Sequence, residues 1–147
     1  MCYSGEGISK AANKIDILLI KPLLPIKKLF GSVVEKKKLI VLVGCNFRFH
    51  PSLVLMKNII LKGDLGRVIS AQVENGSFLP DWHPGENYSK SYASNKKLGG
   101  GVILTCIHEL DYLIWLFGNV KNIYSFSGKL SDLKIDVEDF SISLITF

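Results

Sequence analysis

Apolar residues recur at helical spacing in the chain between Gly99 and Gly118. Ile103, Cys106/Ile107, Leu110, Leu113/Ile114 and Phe117 fall on one face, and Leu104/Thr105, His108 and Asp111/Tyr112 on the other. Gly99, Gly100 and Gly101 open the run and allow close backbone approach, while Gly118 reads as a helix C-cap. The pattern predicts a helix with one face for the core and one face, bearing His108, for chemistry.

The same reading orders the rest of the chain. Residues 14–20 form a short continuous apolar run broken by Lys21 and Pro22, and residues 39–44 form a second such run. Between them, residues 22–38 carry Ile26, Leu29, Phe30 and Val33/Val34 at helical spacing. Residues 14–44 are thus expected to be a β-α-β unit with a parallel strand pair. Residues 45–51 alternate polar and aromatic side chains, as loops at the carboxyl ends of parallel strands do where they bind ligands. Pro51 then starts an amphipathic helix with Leu53, Met56 and Ile59/Ile60, ending at Gly63. Residues 67–78 alternate, with Ile69, Ala71 and Val73 opposite Ser70, Gln72 and Glu74, and predict a strand with one wet face. Residues 79–97 have no period but carry Trp82, His83, Tyr88 and Tyr92; a loop this long is functional or disordered. Residues 120–130 and 137–147 are two further alternating segments, and the chain ends at Phe147 inside the alternation, as a truncated strand would.

Composition narrows the function classes. A chain of 147 residues with 48% apolar content can build one ordinary domain and should fold as a soluble globule. Its apolar runs are too short to span a bilayer, and no signal core follows a basic flank, so a cytoplasmic location is expected, with no membrane partner. The three cysteines, Cys2, Cys45 and Cys106, are far apart and suit reduced thiols rather than disulfides or zinc. The formal charge of +5 is concentrated at Lys27, Lys28 and Lys36, Lys37, Lys38, which fit a solvated helix face or an anionic ligand. No aromatic-interleaved basic strand accompanies them, so nucleic acid is not expected. Gly5 and Gly7, with Lys10 where a third glycine would stand, follow no predicted strand and are rejected as a dinucleotide fingerprint. Gly99 to Gly101 lack a phosphate-loop lysine, and Tyr112 stands where His108-Glu109 would need a second histidine for zinc, so no metal site is indicated.

From residue 14 to Phe147 the order of elements and several phrases resemble the Gfo/Idh/MocA (glucose–fructose oxidoreductase/inositol dehydrogenase) family. The phrases are Lys21-Pro22-Leu23, the run from Val43 through Asn46-Phe47-Arg48-Phe49-His50 to Pro51, Gly66-Arg67-Val68-Ile69-Ser70, Asp81-Trp82-His83-Pro84, Leu98-Gly99-Gly100-Gly101, the run from His108-Glu109-Leu110-Asp111 to Gly118, and Val137-Glu138-Asp139.

The resemblance implies an α/β chain. A residual β-α-β piece of a Rossmann lobe (residues 1–46) would precede an α+β substrate and oligomerisation domain (residues 47–147) with an open, mainly antiparallel sheet covered by helices on one face. It implies the back half of an NAD(P)-dependent sugar or polyol oxidoreductase, short of the glycine-rich cofactor loop and of the closing strands, and not active alone. Lys21 and His108 match the catalytic lysine and histidine, the first beside the reacting hydroxyl and nicotinamide, the second receiving the proton. Asn46 and Arg48, with Lys21, would border NAD or NADP, and His50 would lie near the same junction. Trp82, His83, Tyr88, Tyr92 and Thr105 would line the site of a sugar-like small molecule, aromatic faces suiting the apolar side of a pyranose. Two departures stand out. Ile20 precedes Lys21 where the family has an acid, and Thr105 stands where it has an aspartate, leaving Asp111 as the carboxylate that could orient His108. The alternative is a non-catalytic remnant that pairs with another subunit through its exposed sheet face; a homo-oligomer is expected either way.

Overall fold

The computed structural model describes residues 17–19, 35–38 and 41–147. It divides the chain into two units, Met1–Gly44 and Cys45–Phe147. In the first unit β1 (Ile17–Leu19) pairs in parallel with β2 (Val41–Val43), Ile17 opposite Val41 and Leu19 opposite Val43. Each lies inside one of the two continuous apolar runs. Residues 35–37 are helical, and Lys38 ends that turn with a left-handed φ of 49°. The expected helical stripe from Ile26 to Val34 lies outside the described residues, as do Ile20 and Lys21.

The second unit opens with a 3-10 turn, Asn46–Phe49, followed by α1 (Pro51–Lys62). Proline at the first helical position supplies the required φ without losing a bonded N–H. His50 caps the helix, its Nδ1 accepting from the backbone N–H of Ser52 at 3.3 Å, and Gly63 closes it with φ 78°. Four short 3-10 turns follow: Leu79–Asp81, Tyr88–Lys90, Tyr92–Ser94 and Lys96–Leu98. Asn87 and Asn95 cap the second and fourth with their side-chain oxygens.

The predicted long helix is two pieces, α2 (Val102–Thr105) and α3 (Ile107–Phe117), bent by 48° at Cys106. No single helix among the described residues is long and apolar enough to cross a membrane. Two antiparallel strands, β3 (Asn122–Gly128) and β4 (Phe140–Thr146), complete the unit. Their register puts Tyr124 opposite Leu144, Phe126 opposite Ile142 and Gly128 opposite Phe140 on one face. Ile123 opposite Ile145, with Ser125, Ser127, Ser141 and Ser143, form the other face. The strand ends are tied by Asp139, whose carboxylate accepts from the backbone N–H groups of Leu130 at 2.7 Å and Ser131 at 3.1 Å.

Three expectations are corrected. Residues 67–78 form no ladder; Ile69 and Phe78 are exposed, and what ties the segment to α3 is the Asn75 amide donating to Glu109 at 2.9 Å. Alternation marks a surface suited to a sheet, but a strand forms only where its backbone pairs with another strand, and this segment makes no such pairing. The expected open antiparallel sheet is consequently a two-stranded hairpin, separate from the parallel pair. Burial also does not follow the two predicted faces of residues 103–117. His108 and Thr105 of the chemical face are among the most buried side chains, while Ile114 of the apolar face is 43% exposed. The core is small, built on Ala93, Leu116 and Val137 with Ser94 beside them. The α1 helix contributes none of its residues to it; Lys57 joins the helix to the end of α3 by donating to the carbonyls of Trp115 and Leu116, with its ammonium 5.4 Å from the Trp115 ring centroid. A cation on the last carbonyls of a helix complements its dipole.

Candidate functional site

His108 lies in the first turn of α3 and is 9% exposed. Its imidazole stacks on the ring of Phe47, with centroids 4.6 Å apart and planes 14° from parallel. Phe47 belongs to the turn Asn46–Phe49, and its neighbour Arg48 fastens that turn to α3. The Arg48 Nε donates to Asp111 Oδ2 at 2.8 Å and a terminal nitrogen donates to Oδ1 at 2.5 Å. This two-point geometry is the strong form of the arginine–carboxylate pair. It holds Asp111 below the usual carboxylate range, overcoming burial, with a hydrogen bond from Cys45 adding to the effect. The Cys45 thiol is pushed up in turn, by burial first and then by Asp111, so it serves as a donor rather than as a thiolate. Asp111 was the carboxylate left to orient His108. The carboxylate is instead engaged by the guanidinium fork and the Cys45 thiol.

The aromatic residues of the long loop meet in a second place. Trp82, His83, Tyr88 and Tyr92 line one shallow, open depression with about 10 Å³ of enclosed space, together with Leu79, Pro80, Glu86, Ser91 and Ala93. The 3-10 turns fold the loop so that these side chains converge. The Trp82 indole N–H donates to the Ser77 hydroxyl, and the Tyr88 hydroxyl accepts from the backbone N–H of Lys134 at 3.3 Å. The two rings therefore offer faces more than polar tips. The Ser91 hydroxyl is buried there without a hydrogen-bond partner.

The glycine triplet joins the cleft to α2, the short helix that precedes α3. Gly100 and Gly101 donate to the carbonyls of Asn95 and Ala93 at 2.9 and 3.0 Å, and a Cβ on Gly100 would overlap the Tyr92 and Ala93 backbone. A Cβ on Gly101, whose φ is 104°, would overlap the Glu138 carboxylate. The backbone N–H of Val102 donates to the Glu138 carbonyl at 3.0 Å, and that of Ile103 to its carboxylate at 3.3 Å. Close approach is thus the reason for the glycines, and the approaching groups belong to the chain itself. This also decides how the described residues suit a dinucleotide. The N-terminus of α2 is closed by an acid, where a pyrophosphate would need open N–H groups.

Of the residues singled out from sequence, Arg48 and His108 are brought together, and Trp82, His83, Tyr88 and Tyr92 are brought together. Asn46 is exposed at the start of the 3-10 turn, His50 is the cap of α1, and Thr105 is buried at the break between α2 and α3. Lys21 lies outside the described residues. Sequence reasoning passed over Phe47 and Cys45 in the first cluster and Glu86 and Ser91 in the second. Phe47 carried a signal, being the aromatic neighbour of a selected arginine; Ser91 carried none. Among the described residues no three His, Cys, Asp or Glu side chains converge as a metal site.

Comparison with known proteins places this geometry. Residues 53–147 match the GFO/IDH/MocA C-terminal domain. The chain is 30% identical over 103 residues to levoglucosan dehydrogenase of Pseudarthrobacter phenanthrenivorans, covering 67% of this chain and 26% of that protein. It is 26% identical over 118 residues to YteT of Bacillus subtilis, an oxidoreductase by designation, covering 77% of this chain and 27% of that protein. The chain therefore spans about a quarter of the length of these curated relatives. Its fold is similar to the crystal structure of an NAD-binding protein from Listeria innocua, with a TM-score of 0.63 and 22% identity, over 90% of this chain and 37% of that one.

Proposed function

The chain belongs to the GFO/IDH/MocA family through its C-terminal domain, and from that premise we propose that it is the substrate-domain part of an NAD(P)-dependent sugar or polyol oxidoreductase. The observation that carries the reading is the buried His108, held by Phe47 and flanked by the Arg48–Asp111 pair. An imidazole is the side chain best suited to take a proton from an alcohol near neutral pH. In this reading His108 accepts the proton of the hydroxyl whose carbon gives up hydride. Lys21 steadies the developing alkoxide, and Thr105 hydrogen-bonds the substrate. Trp82, His83, Tyr88 and Tyr92 pack on and orient the sugar. The hydride partner is NAD or NADP; Lys21, Asn46 and Arg48 are the residues proposed to border it. Residues 14–44 would be a β-α-β remnant of the Rossmann lobe that such cofactors use, and the setting would be cytoplasmic.

A titration of the chain with a panel of sugars and polyols, followed by Trp82 fluorescence in a Trp115→Phe background, tests this reading. Saturable quenching that Tyr92→Ala weakens is expected, and no response to any of them would contradict it. NADH and NADPH should not bind the chain alone at millimolar concentration. Micromolar binding would show that the chain is a self-sufficient cofactor site.

A second reading has its own observation. Tyr124, Phe126, Phe140, Ile142 and Leu144 share one face of the hairpin and stand 68, 59, 41, 62 and 67% exposed. A contiguous apolar sheet face of this kind favours an oligomerisation module, in which a second copy covers it. The two readings are compatible in a homo-oligomeric enzyme.

A further inference from the structure

A general base must present one nitrogen in a fixed direction, and serine-protease-type sites achieve this by bonding the other nitrogen to a carboxylate. Asp111, one turn after His108, is engaged instead by the Arg48 fork and the Cys45 thiol. The side-chain contact on the imidazole is instead the ring of Phe47, near parallel at 4.6 Å. We propose that Phe47 is a positioning residue for His108, its ring set by the Arg48–Asp111 clamp so that it fixes the plane of the imidazole.

The geometry is a two-point dock. On α3, His108 and Asp111 are three residues apart and share a face. In the turn Asn46–Phe49, consecutive residues point in different directions, so Phe47 can cover His108 while Arg48 reaches Asp111. One contact alone would let the turn pivot. The ion pair fixes where the turn sits, and the stack fixes how the imidazole is rotated about its χ2 bond. A planar fork is required for this, because a single ammonium on Asp111 would leave the turn free to rotate about one bond. The stack also leaves the edge of the imidazole, where both nitrogens lie, unobstructed by Phe47. Exposure agrees with the arrangement: His108 is 9% exposed beneath a Phe47 ring that is itself 39% exposed.

The proposal rests on the oxidoreductase reading only for what His108 is held to do, and the stack is measured on the full chain without sugar or cofactor. Failure of hydride transfer would therefore leave the measurement standing, and failure of the measurement sinks the proposal whatever the transfer assay shows. The readout is the proton NMR shift of the His108 ring, assigned with His108→Gln. A ring face at this distance moves those protons upfield of the ring protons of His50 and His83, both of which are exposed. Phe47→Leu should abolish the displacement and Phe47→Tyr should restore it. Arg48→Lys and Asp111→Asn should each reduce it, with the Tyr124 and Phe126 signals of the hairpin unchanged as the check on folding. Wild-type His108 protons that coincide with those of His50 and His83 overturn the proposal without any variant. So does a displacement that survives Phe47→Leu. A displacement that Arg48→Lys leaves whole removes the clamp from it.

Discussion

Replacing Arg48 by Gln and Asp111 by Asn, singly and together, isolates the contact that holds the 46–49 turn on α3. Hydrogen bonds to charged groups contribute about 1.5–3 kcal/mol where they are shielded, and exposed pairs contribute about 0.2–1 kcal/mol. Asp111 is 14% exposed and Arg48 39%, so solvent screening discounts the upper range. A coupling of about 1–1.5 kcal/mol is expected from the double-mutant cycle. With a urea slope of about 1–2 kcal/mol per molar for a domain of this size, the pair is worth roughly 1 M in the unfolding midpoint. Arg48→Gln should cost more than Asp111→Asn, because it leaves a largely buried carboxylate without its partner. The pH dependence has a definite sign. Arg48 depresses the folded pKa of Asp111, so its contribution is fully present above the unfolded-chain value near ~4 and is lost as pH falls through the lower folded value. The stability difference between the wild-type chain and Asp111→Asn should be flat above about pH 5 and shrink below it. A coupling under about 0.3 kcal/mol, or a difference that persists unchanged into that acid range, would refute the reasoning.

Gly101→Ala forces a side chain into a left-handed φ and onto the Glu138 carboxylate, and should destabilise the chain by about 2–3 kcal/mol in the same urea assay. Gly63→Ala, where φ is 78° but no atom lies within reach, should cost less, separating backbone strain from overlap. Phe126→Asp or Leu144→Lys places a charge on the open face of the hairpin and should shift the chain toward monomer by light scattering; unchanged self-association would remove that face from the interface. Asp111→Asn should also lower the Cys45 pKa, by removing a carboxylate while Arg48 stays, so the Cys45 peptide should be alkylated several-fold faster at mildly alkaline pH.

The local punctuation of the chain was legible. Pro51 and Gly63 bracket α1 to the residue, because a proline N-terminus and a left-handed glycine are backbone requirements read one residue at a time. Alternation in 120–130 and 137–147 located both strands of the hairpin, with the ends trimmed to Asn122–Gly128 and Phe140–Thr146. The convergence of Trp82, His83, Tyr88 and Tyr92 followed from their density in one loop. What was not legible depends on partners distant in sequence. Residues 67–78 read as a strand because a period of two reports a surface and not the edge it pairs with. The helix broke at Cys106, with no proline or glycine to mark it. Arg48 and Asp111 are 63 residues apart, so no periodicity in either segment announces their bond. Burial of the Thr105/His108 face over the Ile114 face has the same origin: which side of a helix is covered depends on what packs on it.

In the proposed function one sugar is held by both the aromatic cleft and His108. Intermolecular NOEs between a saturating sugar or polyol and the chain test it most directly. The account predicts contacts from carbon-bound sugar protons to the His108 ring and to the Trp82 and Tyr92 rings together. A sugar that contacts only the hairpin face, or the cleft without His108, would contradict it.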